Sequence, residues 1–223
     1  MADRTMPLQN RVTPEGEILA VAARGTVMGN RGGALHDAGR RLGRRRWVSR
    51  QWICCKLDFK GRRRVVMAPG RYTELFFLDE ATALAAGHRP CFECRRADFL
   101  RFAGLWSRIH GEEGRATAPA MDRVLQAERV GPQGRKVTYR ASVKALPDGA
   151  MVRFRATPHL VRAGLLLPWS HAGYAAPVAV PGEDILDVLT PRTIVAVLSA
   201  GYSPSLHPSA AIVLGSADES PPR

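Results

Sequence analysis

Cys91 and Cys94 stand at a C-x-x-C spacing, which lets the two sulfurs of one turn converge on a single ion while the intervening backbone N–H groups favour the thiolates. That is half of a zinc site. The candidates for the other half in the same part of the chain are Cys54, Cys55, His36, His88 and His110. The competing readings are a pair of buried thiols and a redox-active dithiol. A redox C-x-x-C normally opens a helix after a strand in a thioredoxin-like βαβ pattern, and that context is missing. Cys54 and Cys55 are the obvious suppliers of a third ligand, because the strand that carries them precedes the segment leading to Cys91. Adjacent strand residues point to opposite faces, so one of the two at most reaches a shared metal without a bulge. Cys54 shares its face with Trp52 and Lys56, whereas Cys55 shares its face with the more core-like Ile53 and Leu57, which favours Cys54. Three cysteines, completed by a histidine or a water, are what the residues allow.

Two further patterns carry weaker chemistry. Gly29-Asn30-Arg31-Gly32-Gly33, followed by His36 and Asp37, has the makings of a phosphate cradle with a general base, as in a nuclease or phosphotransfer site. It lacks the Lys-Ser/Thr ending of a P-loop and a second acidic ligand, so a glycine turn beside a surface histidine is the simpler reading. A zinc deaminase needs His-x-Glu ahead of Pro-Cys-x-x-Cys. Here Pro90 to Cys94 supplies the second part, but His110-Gly111-Glu112 comes after it, in the wrong order.

The elements that would position these groups are legible in places. Asp79 can cap a short helix over residues 80–86 that stops at Gly87. Phe99, Phe102, Trp106 and Ile109 recur at helical spacing after Cys94, and a further helix starts near Pro119 and runs to about Val130. Residues 18–28 read as a strand, and residues 52–59 and 65–67 as a hairpin whose turn carries Arg62, Arg63 and Arg64. From Val137 the period changes to two, and short apolar runs at 165–167, 176–180 and 185–189 suggest a β-rich unit. It closes with a helix near 191–200 that Thr190 caps and Pro191 opens. Trp169, His171, Tyr174, Tyr202 and His207 are candidates to stack on unpaired bases, with ordinary core packing as the alternative. The expectation is an α+β chain: an Arg-rich zinc-knuckle region with short helices at 1–110, a small barrel- or sandwich-like β-rich region at 111–207, and a disordered tail at 208–223.

Charge indicates the partner. The 223 residues carry a formal net charge of +13, more than solubility requires, which makes a polyanion a reasonable physical prior. The excess is uneven: residues 1–110 hold a net +11 and residues 111–223 a net +2. Most of it is arginine, whose fork of donors suits phosphate and guanine edges, although a GC-rich genome would also enrich arginine. Arg40, Arg41, Arg44, Arg45, Arg46, Arg62, Arg63 and Arg64 are the candidate phosphate contacts. No apolar run approaches the ~18 residues of a spanning helix and the first residues lack the core of a signal peptide, so a cytoplasmic protein without a membrane partner is expected.

Residues 77–94, Phe77-Leu78-Asp79-Glu80 through Ala85-Ala86-Gly87-His88-Arg89-Pro90-Cys91-Phe92-Glu93-Cys94, resemble the second half of the amino-terminal metal-binding domain of the Ada DNA-repair family. That family has an Ala-Ala-Gly-aromatic-Arg-Pro-Cys-x-x-Cys element after a helix. The resemblance implies that Cys91 and Cys94 bind zinc, and it tilts the partner towards DNA rather than RNA and the role towards DNA repair or its regulation. The family's first pair is C-x-x-x-C, whereas this chain has adjacent Cys54 and Cys55, so the family's methyl-acceptor role does not transfer. The rivals are a metal-dependent enzyme acting on nucleic acid, with His36 and Asp37 or the metal at its centre, and a module whose arginines meet an acidic protein.

Overall fold

The computed structural model describes residues 6–63, 65–180, 182 and 185–211. The amino-terminal strands are β1 (Gln9–Val12), β2 (Ile18–Ala20), β3 (Val27–Asn30), β4 (Ile53–Lys56), β5 (Leu75–Phe77) and β6 (Arg89–Pro90), in the order β2-β1-β5-β3-β4-β6. Helix α1 (Glu80–Ala85) lies between β5 and β6, and α2 (Arg96–His110) and α3 (Ala118–Arg129) follow. A second sheet holds β7 (Tyr139–Ser142), β8 (Met151–Phe154), β9 (Thr157–Arg162), β10 (Leu165–Ser170), β11 (Gly173–Tyr174) and β12 (Ile185–Val188), in the order β11-β10-β9-β8-β12-β7. Helix α4 (Arg192–Ser199) comes last. The chain is thus α+β. Its second sheet is open, with β11 and β7 at the two ends of the strand order among the described residues, and the expected barrel is not formed.

Helix α1 owes its composition to its place. Ala83 and Ala86 pack with Val12, Leu75 and Phe77 of the first sheet. Ala81 and Ala85 pack with Met151, Leu160, Leu167 and Trp169 of the second. A helix buried all round must be apolar or have its polar groups partnered, as Glu80 and Thr82 have, and alanine lets both sheets approach closely. Asp79 caps it, its carboxylate accepting from the Thr82 N–H at 2.9 Å, and Gly87 takes the positive φ of +89° that ends it. The face of α2 formed by Phe99, Phe102 and Trp106 joins Leu125 of α3, Val197 of α4 and Val152 and Leu166 of the second sheet. The division at residue 110 therefore marks a change of sheet, since α2 and α1 both pack on strands from the other side of it.

Several local expectations are corrected. Residues 65–67 form no returning strand: β4 pairs antiparallel with β3 and parallel with β6, so the hairpin is replaced by contacts distant in sequence. Thr190 does not cap α4, because its Oγ1 accepts from the Met151 N–H at 2.9 Å. Residues 208–211 are not loose: Ala210 is buried and the Ser209 hydroxyl accepts from the Tyr174 N–H at 2.9 Å. The rest of the expected tail, 212–223, lies outside the described residues. Tight turns at Arg155-Ala156 and Ala163-Gly164, all with positive φ, join β8 to β9 and β9 to β10 as two-residue hairpins. Among the described residues no helix is long and apolar enough to cross a membrane.

The glycine-rich stretch from Gly29, within β3, to Gly33 serves close packing. A Cβ on Gly29 would stand 2.1 Å from the Ile53 carbonyl oxygen, and one on Gly32 would meet Ser49 at 1.9 Å. Gly29→Ala is expected to push β3 away from β4 and to cost about 2 kcal/mol, the size of other steric intrusions into a core. The urea midpoint of the variant checks this, and an unchanged midpoint would show that the two strands have room to separate.

Candidate metal centre

The parallel pairing of β4 with β6 builds the site. Ile53 lies opposite Arg89, Cys54 opposite Pro90, and the Cys91 N–H donates to the Cys54 carbonyl at 2.9 Å. The chain then turns through Phe92 and Glu93, the Arg95 N–H donates to the Cys91 carbonyl at 3.1 Å, and α2 begins. The outcome is that the sulfurs of Cys55, Cys91 and Cys94 all lie within 4.8 Å of one another. Among the described residues no histidine, aspartate, glutamate or further cysteine joins this group.

Cys55, not Cys54, is the third member. The core side of β4 is the face of Cys54, which is fully buried with Val27, Leu35 and Phe77. Leu57, which suggested a core face for Cys55, is exposed. Cys54 accepts from the Arg95 guanidinium at 3.4 Å, and burial next to Glu80 pushes its thiol up, so it stays a protonated core thiol.

The three clustered sulfurs divide the charge unequally. A hydrogen bond from Cys55 and the N–H groups of Cys94 and Glu93 draw Cys91 down to about 5, against the opposing effect of burial. Cys94 is drawn down by Cys55 and by the Lys56 N–H. Cys55, facing both sulfurs, is pushed up and keeps its proton. A divalent cation displacing that proton would bind three thiolates and leave the group with a net charge of −1. The donors fit a borderline-soft ion: with metal–sulfur bonds of ~2.3 Å, a tetrahedral zinc needs sulfurs about 3.8 Å apart, inside the observed limit. The sulfurs line a cavity of about 230 Å³ whose other walls include Lys56, Phe59, Arg62, Tyr72 and Glu93. Arg62 donates to Glu93 at 2.8 Å at the exposed rim.

Behind the site, Arg95 ties it to the core. It donates to Glu80 at 2.7 Å and to Asp98 at 2.8 Å, besides the Cys54 sulfur. Glu80 also accepts from the Tyr202 hydroxyl at 2.7 Å and from the Ser205 N–H at 2.9 Å. Every oxygen of this buried carboxylate is thereby satisfied, with partners from α2 and from the segment after α4.

Other candidates are placed elsewhere. Both ring nitrogens of His36 are engaged, Nδ1 with the Thr73 hydroxyl at 2.6 Å and Nε2 with the Ala68 carbonyl at 3.2 Å, and Asp37 accepts from the Arg41 N–H at 2.9 Å. They fold a turn and form no catalytic pair. His88 packs against Trp52 and Phe77, and His110 hydrogen-bonds the Trp106 carbonyl, so neither reaches the sulfurs. Trp169, Tyr174 and Tyr202 are buried, bonded to Thr82, Asp79 and Glu80 respectively, which rules out a stacking platform. Arg40, Arg41, Arg44 and Arg45 are exposed on one loop, Arg46 is half-buried beside it, Arg62 is exposed at the cavity that the sulfurs line, and Arg63 is exposed next to it in the chain. Arg64 lies outside the described residues. Sequence reasoning passed over Glu93, although its place between the two knuckle cysteines was a signal for it.

Comparison with known proteins finds no family model, no curated protein and no solved structure that matches the chain.

Proposed function

We propose that the chain is a zinc-containing nucleic-acid-binding protein, with DNA as the preferred partner and DNA repair or its regulation as the setting. The observation that carries this reading is the cluster of Cys55, Cys91 and Cys94 opening on a cavity edged by Lys56 and Arg62. Phe59 adds an aromatic surface at the rim, with the Arg62 and Lys60 cations each 5.3 Å from its ring centre. The loop of Arg40, Arg41, Arg44 and Arg45 offers four more exposed cations. The choice of DNA and of repair rests on the resemblance of residues 77–94. Four free cysteines suit a reducing cytoplasm.

Fluorescence anisotropy with a labelled duplex tests the partner. If the four loop arginines each neutralise one phosphate, affinity falls about 100-fold between 50 and 200 mM salt, and replacing all four with alanine flattens that slope. An affinity indifferent to salt would sink the electrostatic argument. Competition by an acidic protein but not by DNA would favour the protein-interaction reading.

One observation favours a metal-dependent enzyme acting on nucleic acid as the second reading. Three protein ligands leave a fourth position towards the cavity, and an open position is what a catalytic zinc keeps. Glu93, on the cavity wall, is placed to take a proton from a metal-bound water. In that case Glu93→Gln stops turnover of a nucleic-acid substrate while metal content and binding stay as in the wild type.

A further inference from the structure

A second constellation lies apart from the sulfurs. Arg31 and Arg129 are each 2% exposed, and both guanidiniums pack over the Trp52 ring, 4.0 and 4.1 Å from its centre. Lys136 is half-buried as a residue, and its ammonium donates to the Ala85 carbonyl at 2.5 Å. With Arg46 these groups surround a cavity of about 60 Å³.

Among the described residues no carboxylate hydrogen-bonds to these three side chains, and Glu15, Glu17 and Asp122 act on them only from a distance. Arg31 reaches the Gly16 carbonyl at 3.0 Å, the Arg46 carbonyl at 3.4 Å and His88 at 3.4 Å. Arg129 reaches the Gly87 carbonyl at 2.7 Å, the Arg50 carbonyl at 2.5 Å and the Gln126 side chain at 2.8 Å. Glu15 and Glu17 border the cavity, but Glu15 is paired with Arg153 at 2.7 Å and Glu17 is exposed. Asp122, the acid nearest on α3, is held by Arg89 through two bonds. Burial pushes Lys136 down to about 7 and both guanidiniums down to about 9; Arg31 and Arg129 add to the fall of Lys136 and Arg129 to that of Arg31, whereas for Arg129 the attraction of Asp122 opposes burial and Arg89 adds to it. Three cations gathered inside a protein with neutral hydrogen-bond partners are costly, because the carboxylates at a distance offset only part of the desolvation.

The space supplies what is missing. At roughly 15 Å³ for each water-sized centre, the cavity has room for about four oxygens in contact, the number in a tetrahedral oxyanion. Guanidinium forks are matched to that shape. Glu17 and Gly134 are exposed and Trp47 is half-buried at its border, so the cavity has a mouth. We propose that this cavity is a phosphate site, taking either free inorganic phosphate or the terminal phosphate of a phosphomonoester whose remainder emerges beside Trp47. The site is independent of the nucleic-acid reading and of the metal.

Calorimetric titration of the 223-residue chain with inorganic phosphate, in a chloride buffer, tests this. Phosphate is expected to bind and to raise Tm by about 4 °C at saturating concentration, as ligation of the native state alone requires. Arg46→Ala should weaken binding at least tenfold and should fold normally, since among the described residues that side chain bonds the nearby Gly43 and Arg44 carbonyls alone. Lys136→Met should raise Tm without phosphate and abolish the phosphate-induced shift. Arg108→Ala, on the exposed face of α2, should bind as the wild type does. Tighter binding of a nucleoside 5′-monophosphate than of phosphate assigns the ester, and equal binding assigns the free ion. No heat and no Tm shift at tens of millimolar phosphate would overturn the proposal, as would binding that Arg46→Ala and Lys136→Met leave unchanged.

Discussion

Cys55→Ser is expected to leave the purified chain without metal, while Cys54→Ser keeps about one zinc per chain. The difference follows from the two faces of β4, which send Cys55 to Cys91 and Cys94 and Cys54 into the core against Arg95. Cys91→Ser and Cys94→Ser should behave like Cys55→Ser, because two sulfurs without a third hold zinc too weakly to survive purification. Metal binding to a site that the unfolded chain lacks is itself folding energy, so chelation should lower Tm in the wild type and leave it unchanged in Cys55→Ser. Elemental analysis of the four variants, with melting curves in the presence and absence of chelator, reads both effects. Wild-type protein prepared anaerobically without chelator and still free of metal would remove zinc from the reading. Metal retained by Cys55→Ser and lost by Cys54→Ser would mean that β4 presents its other face in solution.

Glu80→Ala should be the most destabilising single change outside the metal site, by about 3–5 kcal/mol in urea denaturation, the range for removing one partner of a buried charge pair. Glu80 is 1% exposed, and its loss leaves the Arg95 guanidinium with Asp98 as its one carboxylate among the described residues and takes the acceptor from the Tyr202 hydroxyl and the Ser205 N–H. Glu80→Gln should cost less, because the amide oxygen can still accept from Arg95. A loss below about 1 kcal/mol for the alanine variant would show that water reaches the network.

What the sequence made legible was local. Asp79, Gly87, the helical spacing of Phe99, Phe102 and Trp106, and the Cys91–Cys94 turn depend on residues a few positions apart, and each is where the pattern put it. The third sulfur was not legible, because the face that Cys55 presents is set by β3 and β6, the latter more than thirty residues further along the chain. The hairpin at 52–67 failed for the same reason. Strand β9 went unseen, since Thr157-Pro158-His159-Leu160 shows no alternation and its strand state comes from the turns on either side. Counting arginines also misled about the surface. Arg31, Arg89, Arg95 and Arg129 are interior, where two serve ion pairs and two face a cavity.

The partners of Asp79 and Glu80 have a consequence for synthesis. Both carboxylates belong to the first turn of α1, yet Tyr174, Tyr202, Ser205 and His207 provide much of what satisfies them. A ribosome releases those residues about a hundred positions after α1, so through most of translation the helix that links the two sheets carries two carboxylates without their final partners. The amino-terminal half cannot mature as it emerges. Nascent chains should stay open to proteases until residue 207 clears the exit tunnel, and then close in a single step.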